Sequence, residues 1–385
     1  MKAESEKKIW NSVFITLFAV NMLSHLCIYM MNTLSALYAD HLGATAAVAG
    51  LVSGLFALSA LVFKLVSAPA LDSLNRKYVL LFAFGVLLLS FIGYSFADNI
   101  PLLVVSRLLT GAGMAFTTTG CITMASDALP KDKMQSGLGY FTLGTALCQA
   151  IAPTLGLKLS ETFGYNLTFG ILAIIMVVAI VILCAMKSEN VKKQKFKISI
   201  HSVLAKEAAV PAIILFFLCL SYAALNSFLV IYAGTKNIGS NIGYFFTIYA
   251  VTMLFTRPFI GKMADKYGTV KIVVPSMICF AVAFLIISFS GTLWMFYVAA
   301  FISAFGFGGC QPALIAVCMR KVPKERRGVA SSTGYAATDL SNLIGPTVAG
   351  KLIETSGYEA MWRLFIIPMV IAIIITIGLQ REIDK

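Results

Sequence analysis

Residues 257–271 read RPFIGKMADKYGTVK and lie between two long apolar runs. The stretch brings five charged side chains together in a part of the chain that otherwise carries very few. Gly261 and Gly268 flank Asp265, and glycine permits the tight backbone turns that a hinge between two helices requires. The stretch therefore predicts a short charged hinge that connects two membrane helices.

A degenerate copy of this hinge, KLVSAPALDSLNRKY, occupies residues 64–78. Lys64 stands 193 residues before Arg257, and Asp72 stands 193 residues before Asp265. The same offset relates further pairs along the chain: Gly50 with Gly243, Gly113 with Gly306, Pro130 with Pro323, Lys131 with Lys324, and Pro153 with Pro346. Matches sustained at one offset predict two homologous halves that enter the membrane in the same direction.

Composition supports a membrane protein. The chain has 385 residues, of which 59% are hydrophobic and 12% charged, and its mean hydropathy is +0.88. A soluble domain of this size could not bury so much apolar surface. The net charge of +13 would also suit a nucleic-acid-binding protein, but the basic residues cluster between apolar runs, which is typical of positive-inside topology. We therefore expect a lipid bilayer as the surroundings and no nucleic acid partner.

The apolar runs predict the number of helices. A helix needs roughly 20 apolar residues to cross about 30 Å of hydrocarbon. Runs of that length centre near residues 20, 56, 88, 112, 147, 175, 221, 251, 281, 306, 339 and 370. We predict an all-α integral membrane protein with 12 transmembrane helices in two six-helix bundles, related by a pseudo-twofold axis along the membrane normal, around a central cavity. The predicted units are an N-terminal bundle (1–186), a basic cytoplasmic linker (187–207) and a C-terminal bundle (208–385).

The basic residues also predict the orientation. Nearly all of them, including six linker lysines, fall on one side of the predicted helices, and four fall on the other: Lys158, Lys236, Lys351 and Arg363. The richer side is predicted to be cytoplasmic, with both termini on it, in a multi-pass protein of the cell (inner) membrane. We expect no cleavable signal, because the first apolar run is too long. The eight cysteines stand singly without metal-ligand spacing, which predicts buried thiols and no metal.

The hinge resembles the signature of the major facilitator superfamily, G-x-x-x-D-R-x-G-R-[RK], in the loop after helix 2. The matching positions are Asp72, Arg76 and Lys77 in the first copy and Gly261, Asp265, Lys266 and Gly268 in the second. Departures are Ser73 and Asn75 in the first copy and Thr269-Val270 in the second. The resemblance covers nearly the whole chain and implies a transporter with 12 helices.

Two further motifs carry this resemblance. Arg107-x-x-x-Gly111-x-Gly113 is similar to the superfamily's helix 4 pattern. Residues 144–156, GTALCQAIAPTLG, resemble a degenerate version of the superfamily's antiporter motif. The second half of the chain keeps the Gly345-Pro346 pair of that motif. The chain is therefore most like the drug/metabolite proton antiporter branch.

The hinge residues are predicted to form a cytoplasmic gate. Asp72 and Asp265 stand at helix ends, where a facing helix N-terminus stabilises a carboxylate, and Arg76 can pair with Asp127 at the end of helix 4. Such contacts would close the inner side in the outward-open state, although the same residues could serve only loop structure and topology. Arg320 stands at the repeat position of Asp127, so the two copies of the hinge must use different side-chain contacts.

Three ionisable residues are predicted to lie deep in the membrane. Asp339 falls about 17 Å into helix 11, near the midplane. It is either a proton carrier or a carboxyl that hydrogen-bonds neighbouring backbone or Asn342. Arg107 needs a carboxylate, a substrate or backbone carbonyls as its partner. His25 could contact Arg107 and exchange a proton, or could make only an interhelical hydrogen bond.

Several polar side chains could line the cavity or bond neighbouring helices: Asn21, Asn32, Gln149, Asn226, Gln311 and Asn342. Lys64 is expected to reach the cytoplasmic surface. The chain carries no phosphate-binding loop and no nucleophile–base pair, which disfavours an ATP-driven pump and an enzyme. We expect no cofactor, a monomer, and a small-molecule substrate moved together with protons.

The leading hypothesis is a secondary transporter that works by alternating access and exports a small organic molecule in exchange for protons. The alternative within transporters is an uptake symporter or facilitator for an organic anion or metabolite. Arg107 favours the anion, and the Gly-Pro elements of helices 5 and 11 favour export. A membrane-embedded sensor or scaffold is a third class, but it would need neither polar groups along the bundle centre nor hinge glycines in both halves.

Overall fold

The computed structural model describes residues 9–130, 134–186, 205–323 and 326–383. These residues form helices and the turns that connect them, without a β-strand in the described ranges. The α-helices are α1 (Ser12–His41), α2 (Ala46–Ser73), α3 (Arg76–Ser95), α4 (Ile100–Ala128), α5 (Met134–Ala185), α6 (Ala209–Thr235), α7 (Tyr244–Tyr267), α8 (Thr269–Ser288), α9 (Leu293–Arg320), α10 (Arg327–Leu364), α11 (Ile366–Gly378) and α12 (Gln380–Ile383).

Nine helices within the described ranges are long and apolar enough to cross a membrane, so the chain is a multi-pass membrane protein. Two of these apolar segments are far longer than one crossing needs: 49 residues in α5, and 47 residues that run through α10 and α11. Each bends at a glycine with positive φ, Gly164 in α5 (77°) and Gly357 in α10 (81°). These glycines are also 193 residues apart. The twelve crossings and the two-bundle division stay predictions.

The hinge at residues 257–271 is shorter than the sequence predicts. α7 continues through Gly261 to Tyr267, so the expected turn at Gly261 is wrong: the helix keeps its hydrogen bonds up to its end. The turn at Gly268 is confirmed. Its φ of 96° is one that side-chain-bearing residues rarely adopt, and its N–H donates to the carbonyl of Ala264 at 3.0 Å. α8 begins directly afterwards, at Thr269.

The predicted halves meet where α2 packs against α10 and α7 packs against α5. A Cβ at Gly50 of α2 would collide with the carbonyl oxygen of Pro346 in α10, and one at Gly54 would lie 2.6 Å from the carbonyl oxygen of Leu343. At the repeat position of Gly50, a Cβ at Gly243 would lie 2.9 Å from the Cα of Thr154. The two contacts are therefore equivalent under the repeat, and both require glycine for close approach.

We call the contact of residues 46–54 with residues 343–354 the seam. Polar groups close its end: Glu354 accepts a hydrogen bond from the backbone N–H of Ala47 at 3.1 Å. At the equivalent position between α5 and α7, the amine of Lys158 donates to the hydroxyl of Tyr244 at 2.7 Å. By the predicted orientation, the seam lies on the outer side.

Candidate functional site

A cavity of about 420 Å³ lies where α1, α2, α4, α5, α6, α7, α9 and α10 face one another. Its wall carries three charged side chains, Lys64, Arg107 and Asp339. It also carries five amide side chains: Asn32, Gln149, Asn226, Gln311 and Asn342. The cavity thus brings together seven of the nine deep ionisable and amide residues that the sequence analysis names, and Lys64 in addition.

Lys64 and Asp339 form an ion pair across the cavity. The amine of Lys64 in α2 lies 2.5 Å from Oδ2 of Asp339 in α10, and the two side chains are 34% and 16% exposed. The expectation that Lys64 reaches the cytoplasmic surface is therefore wrong. A carboxylate inside the protein lies within reach of the lysine, and each group supplies the counter-charge that the other needs away from water. Asp339 is mostly buried, and its partner is a lysine of the other predicted half; its depth in the membrane stays a prediction.

Removing one member of this pair should destabilise the protein more than removing both. Lys64→Met leaves the Asp339 carboxylate without a counter-charge, and we expect a loss of about 2 kcal/mol, between the values of exposed and buried pairs. The double variant Lys64→Met/Asp339→Asn should recover most of that loss. Thermal unfolding in detergent, with Lys271→Met as an exposed control on α8, measures the difference. A double variant less stable than Lys64→Met would contradict the pairing.

Arg107 of α4 is fully buried, and its contacts are with neutral groups. Nη2 donates to the carbonyl of Ser53 at 2.9 Å, Nη1 and Nη2 lie 3.3 Å from Oδ1 of Asn32, and Nε lies 3.4 Å from the carbonyl of Val52. The guanidinium also lies 4.7 Å from the ring centre of Phe56. Of the three predicted kinds of partner, the structure therefore supplies carbonyls, and none of the ion pairs between described residues involves Arg107.

The amide groups on the wall follow the repeat. Asn32 and Asn226 stand at equivalent positions of α1 and α6, and Gln149 and Asn342 at equivalent positions of α5 and α10. Gln149 donates from Nε2 to the hydroxyl of Tyr222 at 2.9 Å. An amide offers both donors and acceptors, so these side chains can bind a polar substrate without fixing the sign of its charge.

His25 and Asn21 lie elsewhere. His25 is 8% exposed, and its Nδ1 lies 2.9 Å from the carbonyl of Asn21, one turn earlier in α1. Asn21 is 2% exposed, and its Nδ2 has no hydrogen-bond partner among the described residues. Neither lines the cavity. Among the described contacts, none joins His25 to Arg107, and the hydrogen bond that His25 makes lies within α1 and not between two helices.

The predicted pairing of Arg76 with Asp127 is confirmed: Nη1 of Arg76 and Oδ2 of Asp127 form an ion pair. Nε of Arg76 also donates to the carbonyl of Leu71 at 3.1 Å, which joins the start of α3 to the end of α2. In the second half, Nη2 of Arg320 donates to the hydroxyl of Thr269 at 2.7 Å. The two hinges therefore make different contacts, as the sequence predicts.

The remaining gate residues are described only in part. Lys266 lies at the end of α7, with its amine 5.1 Å from the ring centre of Tyr267. Asp72, Gly261 and Asp265 belong to helices, but their surroundings lie outside the described part of the structure. Their role as a gate stays a prediction.

A family model described as the Major Facilitator Superfamily matches residues 17–239 and 211–383. An "Uncharacterized MFS-type transporter" of Methanocaldococcus jannaschii is 24% identical and covers 97% of both chains. The "Multi-drug resistance efflux pump PmrA homolog" of Lactococcus lactis is 27% identical over 84% of each chain. The "Quinolone resistance protein NorA" of Staphylococcus aureus is 24% identical, covering 89% of this chain and 90% of its own.

Solved structures show the same fold at low identity. The nucleoside transporter NupG superposes with a TM-score of 0.78 at 13% identity, covering 97% of this chain and 99% of its own. A bacterial homologue of the human lysosomal transporter Spinster, in an inward-facing and unoccupied conformation, superposes with a TM-score of 0.79 at 15% identity, covering 98% of both chains. The cavity and its ion pair are thus held in a fold shared with transporters.

Proposed function

Since the chain belongs to the Major Facilitator Superfamily, we propose that it is a secondary transporter that exports a small organic molecule through the 420 Å³ cavity in exchange for protons. Membrane transport follows from the family. The export direction is supported by the relatives named as multidrug efflux and quinolone resistance proteins. The observation that carries the proton coupling is the Lys64–Asp339 ion pair inside the cavity.

The proposed architecture has twelve crossings. Dividing α5 at Gly164 gives two crossings, and dividing the apolar segment of α10 and α11 at Gly357 gives two more. α7 supplies one crossing whose apolar part, 241–256, is shorter than the other spans. The division places six crossings on each side of the linker, 187–207. The equivalent packing of α2 on α10 and of α7 on α5 supports a pseudo-twofold axis between the halves.

Alternating access would proceed by opening the seam on one side of the cavity while the hinges close the other. The seam suits this role because it joins the halves through backbone approach at glycines and one hydrogen bond, from Ala47 to Glu354. Such a contact can separate without leaving an unpaired buried charge. The Arg76–Asp127 pair would act at the opposite end, on the predicted cytoplasmic side.

Asp339 is the proposed proton carrier. As a carboxylate it pairs with Lys64; as a carboxylic acid it has no charge with which to hold the lysine. A substrate that needs the carboxylate must compete with the proton, and competition of two ligands for one group at one cavity is the thermodynamic requirement for exchange. The same pair joins α2 to α10, so breaking it removes one contact between the two predicted halves.

A second function is uptake of an organic anion by proton symport. It is favoured by the charge of the wall, where Lys64 and Arg107 face a single carboxylate, that of Asp339. An anion that takes Lys64 leaves Asp339 unpaired beside a negative charge, which favours protonation of the carboxylate. Proton and anion would then bind together and move in the same direction.

Transport in proteoliposomes with an internal pH dye and a panel of organic compounds distinguishes the two functions. We expect protons to move opposite to the substrate. Proton movement in the same direction would refute exchange and favour the anion symporter. Substrate movement that does not respond to a pH gradient would leave a facilitator and refute both coupled functions.

A further inference from the structure

We infer that the carried molecule is a zwitterion, with an acidic group that pairs with Lys64 and a basic group that pairs with Asp339. The inference rests on the proposed proton exchange and deepens it by naming the substrate class. The two side chains pair with each other at 2.5 Å. A zwitterion inserted between them replaces one ion pair with two and leaves neither charge unpaired.

The charge of the wall disfavours a simple cation. Among the described residues that line the cavity, Lys64 and Arg107 are basic and Asp339 alone is acidic. A cation that pairs with Asp339 displaces Lys64, and the cavity then holds three positive charges against one negative charge. Arg107 cannot withdraw easily, since it is fully buried and held by Ser53, Asn32 and the ring of Phe56. A substrate that brings its own negative group removes this repulsion.

Proton exchange disfavours a simple anion. The titratable groups that face Asp339 from neighbouring helices are Lys64 of α2 and Cys219 of α6; Arg107 and several tyrosines line the same cavity. An anion on Lys64 leaves the Asp339 carboxylate without its cation, so the carboxylate takes up a proton and travels with the substrate. The basic group of a zwitterion instead replaces Lys64 as the counter-charge of Asp339. Because it binds only the carboxylate form, it competes with a proton for Asp339 and releases protons from the fraction of Asp339 that is protonated before binding. Only this second case gives exchange.

Aromatic rings of the same wall can contact an apolar part of the substrate. Tyr222 stacks on Phe307 with ring centres 3.9 Å apart, and Phe56 lies beneath the Arg107 guanidinium. All three rings line the cavity. A volume of about 420 Å³ falls in the range of small-molecule sites. The class is therefore an aromatic zwitterion of small-molecule size.

Four compounds built on one biaryl amino acid test the inference: the free amino acid, its carboxamide (a cation), its N-acetyl acid (an anion) and its N-acetyl amide (neutral). Calorimetry on the full-length protein in detergent gives the affinities, and a pH dye in weak buffer gives the protons released or taken up. We expect the amino acid to bind at least about tenfold more tightly than the other three, and to release protons.

Variants test each of the two contacts separately. In Lys64→Gln, the amino acid should no longer bind more tightly than the carboxamide. In Asp339→Asn, the amino acid should no longer bind more tightly than the N-acetyl acid. Lys271→Gln, on the exposed face of α8, should change neither. The double variant Lys64→Gln/Asp339→Asn holds no unpaired member of the pair, and it should bind all four compounds within a factor of about three.

The outcomes separate this inference from the proposed function. Tightest binding of the carboxamide with proton release would overturn the zwitterion and leave proton exchange standing. Tightest binding of the N-acetyl acid with proton uptake would overturn both. Equal binding of all four compounds to the unmodified protein, or binding of none, would overturn the zwitterion.

Discussion

Asp339→Asn should abolish proton movement while leaving exchange of substrate for substrate intact. Asparagine keeps the size and hydrogen-bonding capacity of the side chain but can neither take up a proton nor hold a charge against Lys64. The cavity can still open to either side, because the seam and the hinges do not involve this residue. We expect accumulation driven by a pH gradient to fall at least about tenfold. Counterflow measured at saturating substrate should stay within about twofold of the unmodified protein, although more substrate is needed to reach saturation because the contact with Asp339 is weakened.

The measurement uses the same proteoliposomes for both readouts, so that a loss of protein affects them equally. Asp98→Asn is a suitable control, since Asp98 is an exposed acid beside the N-terminus of α4 that accepts a hydrogen bond from its neighbour Asn99. It should leave both readouts unchanged. Proton coupling that survives Asp339→Asn would assign the proton to another group. Equal loss of coupling and of counterflow at saturating substrate would indicate a folding defect and not the loss of a proton carrier.

The sequence predicts the family and the repeat because both depend on local chemistry repeated at a fixed spacing. Gly268 turns as predicted, and Arg76 reaches Asp127, because these contacts join residues at neighbouring helix ends. Gly261 does not turn, since one glycine inside a long apolar helix costs too little to end it. The helix ends therefore depend on packing as well as on glycine.

The ion pair could not be predicted from the sequence. Asp339 can be placed in the membrane interior by counting residues from the start of its helix. Its partner cannot be found in this way, because Lys64 lies 275 residues earlier and faces α10 only through the packing of the two halves. The expectation that Lys64 reaches the cytoplasmic surface fails because α2 continues for nine residues beyond it, to Ser73. Its long side chain contacts the carboxylate of α10 instead.

The sequence predicts the cavity better than it predicts which side chains line it. The repeat places Asn32 opposite Asn226 and Gln149 opposite Asn342, and all four line the cavity because equivalent helices face the same axis. His25 belongs to α1, as Asn32 does, and stands two turns earlier on nearly the same face, about 10 Å along the helix axis and outside the cavity lining. Because twelve apolar runs show little amphipathic periodicity, the sequence does not identify the inward face of a helix.

Gly50→Ala should prevent closure of the seam and abolish transport. The added methyl would collide with the carbonyl oxygen of Pro346 and lie 3.2 Å from the ring of Phe228, and neither neighbour is the end of a flexible side chain. Overpacking of this kind costs about 1–3 kcal/mol, and because the collision exists only when the seam is closed, the cost falls on that state alone. The population of the closed state should drop about tenfold or more.

Accessibility measures this shift directly. Ser227 is 4% exposed and hydrogen-bonds Ser53 of α2 at 2.8 Å beside the seam, so Ser227→Cys should be protected from a membrane-impermeant thiol reagent applied outside. Adding Gly50→Ala should expose it. Gly243→Ala, whose Cβ would lie 2.9 Å from the Cα of Thr154, should act in the same direction but less strongly. Gly85→Ala in α3, where a Cβ meets nothing within 4 Å, is the matched control. Equal transport and labelling in the Gly50 and Gly85 variants would show that the seam does not limit the transport cycle. Transport that is unchanged in the Gly85 variant, reduced in the Gly243 variant and lowest in the Gly50 variant would tie transport to the close approach of the helices at these glycines.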